Sequence, residues 1–242
     1  MKFYTSENIE VPAVSAAQMI QIDRLAMEET GPNLYQMMEN AGRSLCELCI
    51  EKLGKSWDKA RILVLAGTGG NGGGGICAAR HLANRGADVT VCITDTVGLK
   101  EVPGWQLHIL RGTTARVIDL EEPDHQGPDV ILDTIIGYSL TGEPAGNSLT
   151  MIEWANRQNV PVISLDIPSG IDATTGKQAV NHIQPMATLT LALPKTGLLP
   201  QVSGELFLAD IGIPAKVYQQ MQLNYTSPFG KDFVVKLKTK ER

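Results

Sequence analysis

Apolar and polar positions in this chain fall into blocks that switch between two periods. One stretch, RILVLAGTGGNGGGGICAARHL at residues 61–82, frames the rest. Residues 62–66 are five apolar positions in a row, a run suited to a buried strand. Seven glycines then fall within residues 67–75. After them Ile76, Cys77, Ala78, Ala79 and Leu82 recur at the spacing of a packed helix face. Strand, glycine loop and helix open a βαβ unit. A helix starting at such a loop offers free N–H groups and a positive dipole end, which suits an anion such as a phosphate. The bland alternative is a tight turn whose glycines only let helix and sheet pack.

The same patterning extends in both directions. Residues 1–12 predict an extended arm, with Pro12 excluding an early helix. Ser15 is placed to cap a helix running to about residue 29, whose apolar positions nearly surround it. Gly31-Pro32-Asn33 breaks the chain, and a second helix is predicted over 33–53. These two helices would form a subunit interface or cover the glycine loop, and their methionines read first as packing. Downstream, strands are predicted at 88–94, 115–118, 128–132, 161–165, 187–193 and 206–209, with helices at 105–110 and 147–158. FVVKL near the C-terminus is strand-like, followed by a basic solvated end. Alternating strands and helices imply a doubly wound, mainly parallel sheet, which binds ligands beyond the carboxyl ends of its strands.

Composition changes this picture little. The 242 residues, 43% hydrophobic and 19% charged, suit one large α/β domain. A net charge of −5 argues against a general nucleic-acid binder. No apolar run approaches membrane-spanning length, and the start of the chain lacks a signal-peptide core, so a cytoplasmic location is expected. Cys46-x-x-Cys49 has no second pair at ligand spacing, and buried thiols are the expected state of all four cysteines. His108 and His125 stand alone, and residues 121–124 read as a solvated acidic loop.

The rim rule makes two aspartates informative. Asp133 and Asp166 each end a predicted strand, so the glycine loop, both carboxylates and Ser169 should meet at one edge. An aspartate there can simply cap a turn. Two of them beside a glycine loop point to a site. Oxygen donors of this kind hold a hard cation, or bring a carboxylate to a bound nucleotide for proton transfer. No nucleophile–base pair is visible.

The segments GTGGNGGGG with ICAARHL, DTIIGYSLTGEPAG, SLDIPSGID and LALPKTG, in this order, resemble the YjeF N-terminal domain family, which includes the NAD(P)H-hydrate epimerases. The resemblance runs from VSAAQMIQIDRLAMEE to about residue 212. It implies a Rossmann-like three-layer α/β/α sandwich with a mainly parallel sheet, preceded by two N-terminal helices. The chain then reads as one domain over 1–242, with the helices in 1–55, the doubly wound core in 60–213 and a tail in 214–242. A homodimer, a bound potassium ion and no membrane are implied as well. The implied activity interconverts the R and S epimers of hydrated NADH or NADPH, NAD(P)HX. This is a repair reaction that feeds a dehydratase.

By the same resemblance Asn71, Asp133 and Ser169 match cation ligands. Gly70, Asn71, Gly72, Gly73 and Gly74 match the substrate loop. Gly137, Tyr138, Ser139, Leu140, Thr141, Gly142 and Glu143 match the segment that wraps the nucleotide. Asp166 matches the carboxylate at the reactive ring and takes the acid/base role. Lys195 matches a family lysine. The family loop reads G-x-G-N-N-G-G-D-G, so Gly70 and Gly74 remove an amide and a carboxylate, each worth about 1–3 kcal/mol of ligand binding. Two readings follow: a working epimerase, or a catalytically impaired homologue serving as a nucleotide-binding or dimerising interaction module. A third, a Rossmann oxidoreductase, would need a ribose-binding acid after the second strand, where only Asp95 stands.

Overall fold

The computed structural model describes residues 1–118 and 127–240. The acidic loop expected at 121–124, His125 and the last two residues lie outside the described residues. The chain runs β1 (Lys2–Thr5), β2 (Glu10–Val11), α1 (Ala16–Leu25), a π-helical turn (Ala26–Thr30) and α2 (Leu34–Leu53). It continues through β3 (Arg61–Ala66), α3 (Gly70–Ala83), β4 (Asp88–Ile93), α4 (Glu101–Leu110), β5 (Arg116–Ile118), β6 (Val130–Thr134) and α5 (Gly146–Arg157). It ends with β7 (Val162–Leu165), β8 (Ala187–Leu191), α6 (Pro200–Ser203), β9 (Glu205–Ala209), α7 (Ala215–Gln220) and β10 (Val234–Lys240).

The two N-terminal helices start where their capping residues stand. The Ser15 and Asn33 side chains each accept from the backbone N–H three residues on, and Gln18 and Gln36 close the reciprocal bonds. The ten strands of the described residues form one sheet in the order β2-β1-β10-β9-β8-β7-β6-β3-β4-β5. From β9 to β5 every pairing is parallel. Alternation within the strands sorts the core. Ile62, Val64 and Ala66 meet α2, α3 and α4 on one face, while Leu63 and Leu65 meet α5 on the other. Toward β9 and β10 that second face is covered by α1 and α7 through Met19, Ile22, Val217 and Tyr218.

The chain leaves β3 toward β4 and β5 and returns on the other side through β6. That reversal opens a crevice between the carboxyl ends of β3 and β6. The arm and the tail differ from their expected roles. The arm is β1 and β2, and it pairs with β10 from the tail. Antiparallel pairing thus turns a predicted extended arm and a predicted solvated end into the sheet's edge. The partners lie too far apart in sequence for periodicity to reveal them.

The glycine stretch also differs. The loop is only Gly67–Gly69 in extent, because α3 already starts at Gly70. Gly72 to Gly75 are buried helical residues that let α3 lie directly on the strands. A Cβ on Gly72 would stand 1.8 Å from the Gly67 carbonyl oxygen, and one on Gly75 would stand 2.0 Å from Thr134 Oγ1. Packing, the bland reading, accounts for these two. Gly75→Ala is expected to destabilise the protein by about 1–3 kcal/mol through overpacking. Urea unfolding checks this as a lowered midpoint at unchanged slope.

Candidate active site

A cleft of about 640 Å³ lies at the crevice, floored by the sheet rim and roofed by α1 and the start of α2. Its walls include Gly67, Gly70, Asn71, Gly137, Tyr138, Ser139, Asp166 and Lys195, with Met19, Met27, Met37 and Met38 from the N-terminal helices. The two helices therefore cover the glycine loop, and their methionines line the cleft as well as pack. The α3 N-terminus has no side-chain cap, so its first N–H groups remain free at this wall.

Asp166 follows β7 directly and is 3% exposed. Its backbone sits at φ 67°, a left-handed conformation that aspartate tolerates better than most residues and that is common at functional sites. Lys195 Nζ donates to Asp166 Oδ1, and the Tyr138 backbone N–H donates to Asp166 Oδ2 at 3.1 Å. Lys195 is completely buried. Its other donors reach the Leu191 carbonyl at 2.9 Å and Thr190 Oγ1 at 3.4 Å. The segment holding Lys195 is pinned by the N-terminal arm: Val14 N donates to Pro194 O, and Thr196 N donates to Val14 O.

Asp133 lies inside β6 and is fully buried. Ser169 donates to it from both Oγ (2.5 Å) and N (2.9 Å), Ser164 Oγ donates at 2.7 Å, and Ile135 N at 3.3 Å. Burial pushes its carboxyl above the ordinary aspartate value, and these four bonds oppose that shift. Ser169 Oγ also accepts from Ile136 N at 2.9 Å. The Asp133–Ser169 pair therefore fixes the 135–137 segment, and Tyr138 beyond it. Asn71 stands across this segment, where a Cβ on Gly137 would be 3.3 Å from both the Asn71 side chain and Asp166 Oδ2. The Asn71 amide is buried with no hydrogen-bond partner on either atom.

One further group, Asp23, is not visible in the sequence. Asp23 of α1 lines the cleft, and Tyr138 Oη donates to Asp23 Oδ2 at 2.5 Å. Asp23 shares α1 with Gln18, Gln21 and Arg24, so no local pattern marks it out. Lys195, to which the family resemblance assigns no role, sits on Asp166.

The remaining expected positions divide. Gly70 is exposed at the cleft, whereas Gly72, Gly73 and Gly74 are buried in α3. A Cβ on Gly74 would stand 2.7 Å from Leu165 Cδ2, inside the core rather than at the cleft. Leu140 to Glu143 lead away over the surface, where Glu143 Oε2 accepts from Val180 N at 3.0 Å. Asp95 accepts from Val97 N and Gly98 N in its own turn and does not line the cleft.

Metal-type donors also meet elsewhere. Glu39, Cys77 and His81 bring three potential ligand atoms together between α2 and α3. Arg80 already occupies this place, 2.5 Å from Glu39 Oε2 and 3.4 Å from Cys77 Sγ, so the cluster is an internal ion pair. Burial pushes the thiols of Cys46, Cys49 and Cys77 up to about 11, 12 and 12, as expected of buried free cysteines.

Residues 34–197 match the family described as YjeF-related protein N-terminus. The chain is 51% identical, over its full length and 99% of the relative, to an NAD(P)H-hydrate epimerase of Dehalogenimonas lykanthroporepellens. It is 36% identical to an NAD(P)H-hydrate epimerase of Weissella koreensis over 86% of this chain and 95% of that one. A bifunctional NAD(P)H-hydrate repair enzyme of Moorella thermoacetica is 33% identical over 87% of this chain, which spans only 42% of that longer protein. The crystal structure of yeast ynu0 superposes with a TM-score of 0.77 at 22% identity, covering 93% of this chain and all of that one, and so has the same α/β fold.

The Glu39 cluster gives a pH prediction. Burial pushes the Glu39 carboxyl up, but hydrogen bonds from Arg80, His81 and Cys77 outweigh this and hold it at about 2, against an ordinary 4.5. Its folded pKa is depressed, so its contribution to stability is present above 4.5 and lost as pH falls toward 2. Acid unfolding of Glu39→Gln should show a shallower loss of stability across that window than the wild type.

Proposed function

The chain belongs to the YjeF-related N-terminal family, and on that footing we propose that its cleft interconverts the R and S epimers of hydrated NADH and NADPH. The observation that carries this is Asp166: a buried carboxylate in a left-handed backbone, clamped by Lys195 and facing the cleft beside the uncapped N-terminus of α3. A dinucleotide fits this arrangement. The free N–H groups of α3 take its phosphates, and the hydrated ring sits deeper, against Asp166.

In the hydrate, a ring carbon beside the ring nitrogen carries the hydroxyl. Protonating that hydroxyl lets it leave as water while the nitrogen lone pair forms an iminium-type double bond. Water then adds from the other face and gives up a proton. Asp166 is suited to give and take those protons. Lys195 holds one of its oxygens in place and balances its charge where both side chains are buried.

A cation is proposed at Asn71, Asp133 and Ser169, and potassium is our assignment for it. Two features support the fit. Among the described residues the buried Asp133 carboxylate has only neutral donors, and the buried Asn71 amide has no partner. A monovalent cation would balance the one and occupy the oxygen of the other. It would hold the floor of the cleft in charge balance. We also propose a homodimer, supported by the exposed apolar side chains of Ile20, Met27, Leu34 and Tyr35, and a cytoplasmic location. No described helix is long and apolar enough to cross a membrane.

One observation favours the second reading, an interaction module without catalysis. Gly70 leaves bare backbone in the cleft wall where the family has an amide. Purified protein given S-NADHX and followed by chromatography decides between the two. The wild type should equilibrate the epimers, and Asp166→Asn should slow this about 10²–10⁴-fold. A wild type that binds the hydrate without equilibrating it would establish the module instead. For the cation, melting in potassium chloride is expected to exceed melting in choline chloride at equal ionic strength, and Asn71→Ala should abolish the difference.

A further inference from the structure

We infer that Asp23 is a second acid/base group of this cleft, acting on the face of the reacting ring opposite Asp166, with Tyr138 as the spacer between them. This rests on the epimerase reading and adds a residue and a division of labour to it. Among the described residues lining the cleft, Asp23 and Asp166 are the two carboxylates. They come from different walls, Asp23 from the roof helix α1 and Asp166 from the sheet rim. One tyrosine touches both: the Tyr138 N–H donates to Asp166, and its hydroxyl donates to Asp23. The two carboxylates therefore stand at opposite ends of one tyrosine, one at its backbone N–H and the other at its hydroxyl.

The reaction calls for such a pair. A hydroxyl must leave from one face of the ring carbon and a water oxygen must arrive at the other. A single carboxylate could serve both faces only if the ring turned over within the cleft. With two, the ring stays still. Protonated Asp23 gives its proton to the hydroxyl on its side, the C–O bond breaks, and the ring nitrogen lone pair closes the iminium. A water on the far side attacks the same carbon, and Asp166 takes its proton. One water leaves and one enters, nothing is oxidised, and the opposite epimer reacts by the same steps reversed. Solvent exchange resets the two carboxyls.

The environments fit these roles. Asp166 is ion-paired with Lys195. Asp23 accepts the Tyr138 hydroxyl on one oxygen, and the other has no partner among the described residues. Burial raises its carboxyl above the ordinary aspartate value, against the pull of the Tyr138 bond and the Lys195 charge. The charged or titratable groups facing Asp23 are thus Tyr138, Lys195 and Asp166, while Arg24 on its own helix turns to Glu28. An ion-paired carboxylate and one that accepts only a neutral hydroxyl suit a base and an acid in one site.

The test compares the wild type, Asp23→Asn, Tyr138→Phe and Asp166→Asn on S-NADHX across pH, with thermal melting to confirm folding. Asp23→Asn should lower kcat about a hundredfold or more while KM stays near wild type, and should abolish the alkaline limb of the pH profile. Tyr138→Phe should keep that limb but move it to higher pH, because Asp23 loses the bond that favours its charged form. If Asp23→Asn keeps kcat within about threefold, or changes KM alone, Asp166 serves both faces and the inference is wrong. The same holds if Tyr138→Phe leaves the limb where it was. Inactivity of the wild type would instead overturn the epimerase reading, and this inference with it.

Discussion

A carboxylate sealed inside a sheet has to be satisfied where it stands, and the geometry of this cleft follows from how Asp133 is satisfied. Its four bonds come from Ser164 on the neighbouring strand, from both polar groups of Ser169, and from Ile135 just beyond its own strand. Each also does positional work. The Ser169 bonds draw the turn after β7 onto the end of β6, and the Ile135 and Ile136 bonds fold the next segment across the crevice. Tyr138 is thereby delivered with its N–H on one carboxylate and its hydroxyl on another. Loosening Asp133 would unfasten loops from two strands and a roof helix together. A buried donor or acceptor left without its partner costs about 1–3 kcal/mol, so the arrangement is strongly specified.

The second buried charge is handled differently. Asp166 is neutralised by Lys195 rather than by hydroxyls, and Lys195 is itself wholly enclosed. Breaking such a pair from one side is strongly destabilising, by about 3–5 kcal/mol, because the other charge stays buried. The segment holding Lys195 is tied to Val14, so the N-terminal arm supports the site although none of its residues lines the cleft. The path from β1 through Val14 to α1 thus does two jobs. It closes the sheet edge with β10, and it carries Asp23 over the cleft.

Much of this could be read from the residues alone. The strand before the glycines, the cap at Ser15 and the two strand-end aspartates are local signals, and local signals survive into structure. What sequence could not show was long-range. The β1–β10 pairing joins opposite ends of the chain, and the Asp23–Tyr138 bond crosses from a helix to a loop more than a hundred residues on. Gly72 and Gly75 were legible as special but not as helical. A glycine run reads as a flexible loop until the atoms occupying the missing Cβ positions are known.

That last point bears on the departure of this chain from its family's loop. Losing the family carboxylate at position 74 seemed to weaken the ligand site and so to favour a protein without catalysis. In the fold, the direction a side chain would take from Gly74 is filled by Leu165, with Ala41 beyond it. The position faces the core between α2 and β7, and the volume a larger residue would claim has gone to a leucine. The change is therefore balanced by packing and subtracts no group from the cleft wall. Gly70 is different, because it is exposed at the cleft and nothing replaces the missing amide. Of the two departures, Gly70 is thus the one at the cleft wall, where α3 begins. The groups suited to chemistry, Asp166, Lys195, Tyr138 and Asp23, are joined to one another by hydrogen bonds that do not pass through Gly70. On the proposed reading, a change confined to Gly70 bears on how tightly a nucleotide is held and leaves the carboxylates of the cleft in place.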